Sequence, residues 1–526
     1  MGKLDNELTF RRIEDIEVKL VGAIDSPYET AVATARTCYS GKGIIYPEDV
    51  SKDERSVAMR DRIAHSTLQA GHLTTRQHAH FVFAITGVSR QCLWSFLHSH
   101  PFYNSEQVSQ RYVRVKRGNF LMPPLPPAAE KIYGETVDAQ MSDYERLIEL
   151  LRVPIEADYY DRFKSRRKEP ERWKGVVDKR SFEVARYALG VGTTAYLYHT
   201  VSALTLMRYA KLCNAFETPA EQRVLVQKML DKVREIDPLF EKELTDPMPI
   251  EKTLEYRLLS EKATRPSSAF LRDFDDRLDG KFSKLVSHTT DPETTLADAF
   301  RTMLGKAPSE LSDEAALAQI LDPKNNRVLA DTINLTPLDR LSQVMRHVQF
   351  TFHKKISHTA DSQDQRHRLV PASRPILHFH FTGEPDYITP YGITQSAEAQ
   401  AVYERSMERS WKAVSQLLDM GVEEQYAFYL LPNAVSVRMV STGDLQALWH
   451  KWKLRACYNA QEEIFRATTQ EVEQVQAKFP RLGSHLRAPC YVRMRAGITP
   501  YCPEGDKYCG LPVWKYDITQ YDRKSL

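Results

Sequence analysis

Two short stretches concentrate the side chains best suited to gripping an anion. QDQRHRLVPASRP (363–375) carries Arg366, His367 and Arg368 in succession, and SEQVSQRYV (105–113) carries Ser109, Gln110 and Arg111. Arginine suits phosphate because its planar fork binds two oxygens at once and keeps its charge when partly desolvated. In the second stretch a serine, Arg111 and consecutive backbone N–H groups would form an anion nest, not a nucleophile site. A separate chemistry is offered by Cys490, Cys502 and Cys509, with His485 five residues before the first. Three thiols and an imidazole could close a tetrahedral zinc site. The C-x11-C-x6-C spacing lacks tight C-x2-C pairs, so the alternative is free cysteines on a turn-rich tail packed on the core. Residues 161–180 hold nine Lys/Arg against four Asp/Glu, which reads as a solvated helix face; the sharper alternative is a contact for phosphate or nucleic acid.

The elements that must position these groups come in two copies. LVGAIDSPYETAVATARTCY from Leu20 resembles LVSHTTDPETTLADAFRTML from Leu285: a short strand, an Asp/Pro turn, then a helix carrying Arg36 or Arg301. In the first helix Val32, Ala35 and Tyr39 make an apolar stripe at i, i+3, i+7. HAHFVFAITGVS from His78 mirrors HVQFTFHKKISH from His347, each an alternating strand leading into a helix. A third pair starts at Phe182 and Glu424, and Gly190 to Cys213 spans the same distance as Pro432 to Arg455. In the second copy Leu445, Leu448, Trp449 and Trp452 form the face of a buried helix. The chain is therefore read as a tandem duplication, with a first repeat over 10–240 that holds a basic insertion at about 118–182, and a second over 280–487. A polar linker near 235–280 separates them, and a cysteine-containing tail covers 488–526.

The 526 residues call for at least two domains, and 42% apolar with 27% charged residues is an ordinary globular balance. A net charge of +3 argues against a nucleic-acid or membrane binder. No apolar run approaches the roughly 20 residues of a membrane span. MGKLDNELTFRR has no apolar core of a secretory signal, and Asn6 breaks the lipidation pattern after Gly2. Seven cysteines, an odd number, fit a reducing cytoplasm.

The ordered landmarks resemble those of the flavin-dependent thymidylate synthases. ARTCYS (35–40), GHLTTRQHAHFVFAITGVSR (71–90) and SEQVSQRYV (105–113) are similar to that family's consecutive signature segments. The family motif is Arg-His-Arg, seven residues, then Ser-x-Arg-Tyr. The second repeat has its first half, with Ile376 in the serine position, and the first repeat has its second half, with HSHPFY (98–103) where the arginines belong. The first repeat has Arg186 where the second has Phe428; the second has Arg455 where the first has Cys213. Gln363 matches a substrate contact that the first repeat lacks, and ACYNAQEEIF (456–465) resembles a family helix start.

The resemblance implies an α+β fold of two thymidylate-synthase-complementing-type repeats, each a mostly antiparallel sheet flanked by long helices. It implies reductive methylation of dUMP to dTMP with methylenetetrahydrofolate and NADPH through FAD. Gln110, Arg111, Arg186, Gln363 and Arg366 would bind substrate, and Arg455 with Ser109 would serve catalysis. His72, Thr74, His367 and Arg368 would hold the cofactor. The family's other flavin contacts have changed, to Gln77, Ser202, Leu204, Asp444 and Gln446. No Gly-x-Gly-x-x-Gly stands in a strand–helix context, which is compatible with the family, whose nicotinamide visits the flavin. Each copy retains what the other lost, so one composite site type is expected. Two fused copies would need only a homodimer to rebuild the family's tetramer. The alternatives are a diverged flavin- or nucleotide-binding homologue acting on another pyrimidine, and a catalytically inactive nucleotide-binding scaffold.

Overall fold

The computed structural model describes residues 8–215, 217–260 and 267–522. The stretch MGKLDNE, read above for signals, and residues 261–266 of the linker lie outside them. Two compact units form. The first has its described residues within 1–142, 189–265 and 408–432; the second has them within 143–188, 266–407 and 433–526. Each unit thus takes one segment from the other repeat.

The first unit holds β1 (Glu17–Ala23), α1 (Pro27–Thr37), α2 (Glu54–Gln69), β2 (His80–Ser89), β3 (Asn104–Gln107), β4 (Thr194–Ser202), α3 (Ala203–Leu212) and α4 (Pro219–Arg234). Its four strands pair in the order β1-β2-β4-β3, antiparallel throughout. The second unit repeats this plan with β5 (Ser283–His288), α5 (Pro292–Leu304), β6 (Gln349–Ser357), α6 (His358–Asp364), β7 (Ala372–Ser373), β8 (Ser436–Asp444), α7 (Leu445–Arg455), α8 (Glu462–Lys478) and α9 (Pro489–Arg495). The strand order is again the same, β5-β6-β8-β7, antiparallel. The α+β expectation of two antiparallel sheets flanked by helices describes both units.

Local sequence explains the elements. On β2 the alternation Phe81, Phe83, Ile85 faces the core, and on β6 Phe350 and Phe352 do. Each strand ends in a serine that caps the next helix: Ser89 Oγ accepts the Cys92 N–H at 3.0 Å, Ser357 Oγ that of Ala360 at 3.1 Å. Leu445, Leu448, Trp449 and Trp452 are buried as their spacing predicts, in one core with Phe350, Phe352, Val472 and Val475. The stripe predicted on the first helix holds at Val32 and Ala35 but not at Tyr39, which is 90% exposed because α1 ends at Thr37.

The borrowed segments are fastened by one arrangement used twice. In the first unit Tyr429, from the second repeat, donates its hydroxyl to Glu221 at 2.7 Å; Glu221 also accepts the Ser89 N–H and hydroxyl, both at 2.6 Å. In the second unit Tyr187, from the first repeat, donates to Glu463 at 2.6 Å, and Glu463 accepts the N–H and, at 2.7 Å, the hydroxyl of Ser357. The entry of Tyr429 needs glycine: a Cβ on Gly190 would lie 2.7 Å from the Tyr429 carbonyl oxygen.

The tail packs on the second core through Cys490, Val492, Cys509, Val513, Ile518 and Tyr521. The basic run forms part of Pro127–Arg162, a short turn and Pro170–Ala185, where the Arg166 guanidinium lies 4.0 Å from the ring centres of both Phe163 and Trp173. No described helix is long and apolar enough to cross a membrane.

Burial pushes the Glu463 carboxyl up to about 7 from 4.5, against the pull of its three donors. Below the unfolded value both states are protonated and no stability is lost; above it the unfolded chain ionises first, so the fold loses up to about 3 kcal/mol by pH 7. The melting temperature of Glu463→Gln should therefore rise relative to wild type between about pH 5 and about pH 7.5. A gap that stays constant over that range contradicts this reading.

Candidate active site

The second unit gathers the arginines. α6 starts at the Ser357 cap held by Glu463 and ends at Asp364, so Arg366-His367-Arg368 follows immediately on a turn in which the Arg366 N–H reaches the Gln363 carbonyl at 3.3 Å. Arg455 is the last residue of α7, whose N-cap is Asp444, accepting the Ala447 N–H at 2.8 Å. Its guanidinium donates from Nε to His367 Nε2 at 2.9 Å and from Nη2 to the Gln363 carbonyl at 3.2 Å. A donor on Nε2 requires that nitrogen to be the acceptor, so a neutral imidazole carries its proton on Nδ1. Burial first, and then the Arg455 charge, hold His367 well below the usual histidine range. Downstream, Arg374 forks onto the buried Asp361 at 2.6 and 3.1 Å and ties the loop after the arginines to α6. The residue in the serine position of the motif is Ile376, as the sequence shows.

Arg186 belongs to this same unit, carried there beside Tyr187. It is buried; its Nε donates to the Glu183 carbonyl at 3.2 Å and its own carbonyl accepts from Asn433 Nδ2 at 2.9 Å. Of the expected site residues, the second unit therefore holds Arg186, Gln363, Arg366, His367, Arg368 and Arg455. The first unit holds His72, Thr74, Ser109, Gln110 and Arg111.

In the first unit Ser109 opens a tight turn: its carbonyl accepts the N–H groups of Tyr112 and Val113 at 3.1 and 3.0 Å, and its hydroxyl that of Arg111 at 3.2 Å. The Arg111 guanidinium sits 5.3 Å from the Tyr112 ring centre. Gln110 turns inward and lines a cavity of about 90 Å³ with Arg11, Arg90 and Arg114. Where the second repeat has its arginines, the first has stacked rings. His98 is buried on Ser105 at 3.0 Å and stacks on Tyr103 at 4.6 Å; His100 and His199 both meet the Tyr209 hydroxyl, at 2.8 and 3.0 Å. Burial pushes His199 down to about 3, so this cluster carries no charge from it near neutral pH.

Each unit also has an open cleft beside its first long helix. In the first it measures about 710 Å³ and is lined by Arg36, Lys42 and His72, with Tyr39 on the wall. In the second it measures about 850 Å³ and is lined by Arg340, Arg346 and His347. Arg301, the counterpart of Arg36, is instead buried against Asp298 and Asp313. The changed family positions serve the fold: Ser202 and Asp444 cap helices and Leu204 is buried. Gln446 accepts from Arg346 Nε at 2.8 Å and so orients a cation that lines the second cleft. His347 appears in the sequence only as a strand landmark, and the clustered cations around it have no motif to reveal them.

Beneath the arginine site lies a group of buried charges that sequence reasoning missed. Lys354 on β6 contacts Asp364 at 2.8 Å and Glu471 at 2.9 Å; Lys451 on α7 contacts Asp364 at 3.0 Å and Glu471 at 3.8 Å. Trp452 Nε1 adds a hydrogen bond to Glu471 at 2.6 Å. Burial opposes all four charges, yet the paired lysines hold both carboxyls below their usual range, Asp364 far below.

The zinc expectation is corrected. Among the described residues no group of three or more His, Cys, Asp or Glu side chains is disposed to hold a metal ion. His485 faces Asp322, Arg495 and Arg487, whereas the charge neighbours of Cys490 are Cys457, Cys502 and Cys509. Burial pushes Cys490 and Cys457 up to about 12, so these thiols are neutral packing groups, and all seven cysteines are free.

Removing the Arg455 charge should let His367 accept a proton more readily. In Arg455→Met the imidazole, followed by histidine NMR, should titrate at higher pH than in wild type. An unchanged titration would show that burial alone sets its state.

The family model described as "Thymidylate synthase complementing protein" matches residues 19–239 and again 284–481. The chain is 28% identical over 231 residues to the flavin-dependent thymidylate synthase of Geobacter sulfurreducens, covering 43% of this chain and 92% of that protein. It is 27% identical over 238 residues to that of Nitratidesulfovibrio vulgaris, covering 43% and 93%. For Saccharolobus solfataricus the figures are 29% over 212 residues, 40% and 78%. With both repeats matched over most of its length, and with paired antiparallel-sheet units to match, the chain belongs to the thymidylate synthase complementing family, that of the flavin-dependent thymidylate synthases.

Proposed function

We propose that this protein catalyses the reductive methylation of dUMP to dTMP with methylenetetrahydrofolate and NADPH, using FAD. The observation that carries this reading is the guanidinium of Arg455 fixed on His367 and the Gln363 carbonyl beside Arg366. That is a pre-oriented arginine site on two helix ends, and rigid placement is what transition-state stabilisation needs. Gln363, Arg366 and Arg186 bind the nucleotide. Arg455 stabilises the charge that develops on a pyrimidine carbonyl oxygen when C5 becomes nucleophilic. His367, neutral and hydrogen-bonded, holds Arg455 in place without adding a competing charge. The Ser109–Arg111 turn of the first unit is proposed as a phosphate cradle in which the Ser109 hydroxyl and the Arg111 guanidinium donate to the anion, since the N–H groups of Arg111, Tyr112 and Val113 are already bound to Ser109.

The clefts fit a dinucleotide in size and charge: both fall in the range of about 300–1,000 Å³ typical of small-molecule sites, and each brings cations for a pyrophosphate. Arg36, Lys42 and His72 would hold it in one unit, Arg346 and His347 in the other. FAD, when bound, supplies the electron transfer between NADPH and the one-carbon unit. Thr74, His367 and Arg368 keep their proposed cofactor roles. We further propose that the chain assembles as a homodimer.

A second reading rests on a particular observation. Ser202, Leu204 and Asp444, at family flavin positions, are absorbed by helix capping and core packing, which favours a nucleotide-binding homologue that has lost or changed its chemistry. Growth of a thymidine auxotroph on this chain separates the readings. Rescue is expected, with loss of rescue and at least tenfold weaker dUMP binding in Arg366→Ala. Arg111→Ala is expected to weaken dUMP binding as well. Failure of wild type to rescue while it binds dUMP would favour the second reading, and wild-type dUMP affinity in Arg366→Ala would overturn the assignment of the site.

A further inference from the structure

The duplication supplies an internal control for the buried charges of the second unit. The two units align through their matching serine–glutamate pairs, Ser89–Glu221 and Ser357–Glu463, and through their strand registers. Ser357 faces Ser436 and Lys354 faces Met439; in the first unit Ser89 faces Thr194 and Ile85 faces Leu197. Lys354 therefore corresponds to Ile85. Counting from the helix caps Asp444 and Ser202, Lys451 corresponds to Tyr209; counting from Glu463 and Glu221, Glu471 corresponds to Met229.

Asp364 pairs with Lys451; in the first unit Phe96 packs on the Tyr209 ring at 4.9 Å between centroids, while His100 and His199 hold the Tyr209 hydroxyl. Phe96 lies in the π-turn Leu93–Leu97, which takes up the one extra residue of the first repeat. One locus of the fold is thus filled by Ile85, Phe96, Tyr209 and Met229 in one unit, all buried, and by two lysines and two carboxylates in the other.

The fold alone does not require the charges. Replacing a buried ion network by apolar groups of similar size is often neutral or stabilising, so the second unit bears a desolvation cost that the first avoids. What distinguishes the units at this locus is the machinery above it. Asp364 is the last residue of α6, adjacent to Gln363 and two residues before Arg366; Lys451 lies one turn before Arg455 on α7. The network clamps the ends of both helices to β6 and to Glu471 of α8. Directional, charge-assisted contacts of this kind fix orientation more strictly than apolar packing, which tolerates sliding.

We propose that the Lys354–Asp364–Lys451–Glu471 quartet is a positioning device that holds Arg366 and Arg455 in the geometry that binds an anionic nucleotide. The nucleotide is the one assigned under Proposed function, and the inference rests on that reading for the ligand only.

The test exchanges the first unit's own residues into the second: Lys354→Ile, Asp364→Phe, Lys451→Tyr and Glu471→Met together. A milder variant, Asp364→Leu with Lys451→Leu, leaves the Lys354–Glu471 pair intact. Melting temperature, amide hydrogen exchange and dUMP affinity are measured on each and on wild type. The expected result is a melting temperature at or above that of wild type, exchange at least tenfold faster confined to residues 363–368 and 452–456, and dUMP affinity at least tenfold weaker. A folded variant with wild-type exchange in those segments and wild-type affinity overturns the proposal. Failure of both variants to fold assigns the quartet to folding and also overturns it. If wild type itself does not bind dUMP, the functional reading fails, and the exchange result alone decides whether the quartet positions the helix ends.

Discussion

A buried glutamate bound to a serine cap and a tyrosine hydroxyl is the interaction on which each unit depends. Glu221 and Glu463 sit near the starts of equivalent helices and are wholly inside the protein. Each satisfies the first N–H and hydroxyl of the helix that follows the central strand, and each takes its third donor from a segment of the other repeat. A buried carboxylate without such donors would be too costly to keep. The exchange of segments is therefore built into the polar core of each unit, and it carries Arg186 into the unit that holds Arg366, Arg368 and Arg455.

From this common plan the repeats have diverged at one locus. The first fills it with the uncharged side chains of Ile85, Phe96, Tyr209 and Met229 and finishes the helix turn with histidine and tyrosine rings packed on one another. The second fills it with paired charges and places arginines on the helix ends above them. At this locus the same backbone serves packing in one copy and, in the other, carries paired charges beneath the helix ends that bear Arg366 and Arg455.

Much of the fold was legible in the sequence. Alternation in HFVFAI and the Leu445–Trp452 face predicted a strand and a buried helix correctly, because both signals are local. The arginine motif was legible as well, and Arg455 lies against His367, which follows Arg366 in that motif. What was not legible depends on distant contacts. Lys354, Lys451 and Glu471 carry no sequence signal, since periodicity assigns charge to the surface and cannot see partners brought from other elements. Tyr39 looked like the end of a stripe but lies past the helix terminus. The cysteine spacing suggested a zinc site, yet among the described residues no metal-binding group is assembled, and Cys490 and Cys509 pack in the second core.

We propose one nucleotide site per chain, centred on Arg366, His367 and Arg455, the matching turn of the first repeat being filled by rings. The stoichiometry of dUMP binding to the full-length protein, by equilibrium dialysis, tests this most directly. One nucleotide bound per chain is the predicted result; two per chain, or one that persists when Arg366 and Arg455 are both replaced by alanine, would contradict it.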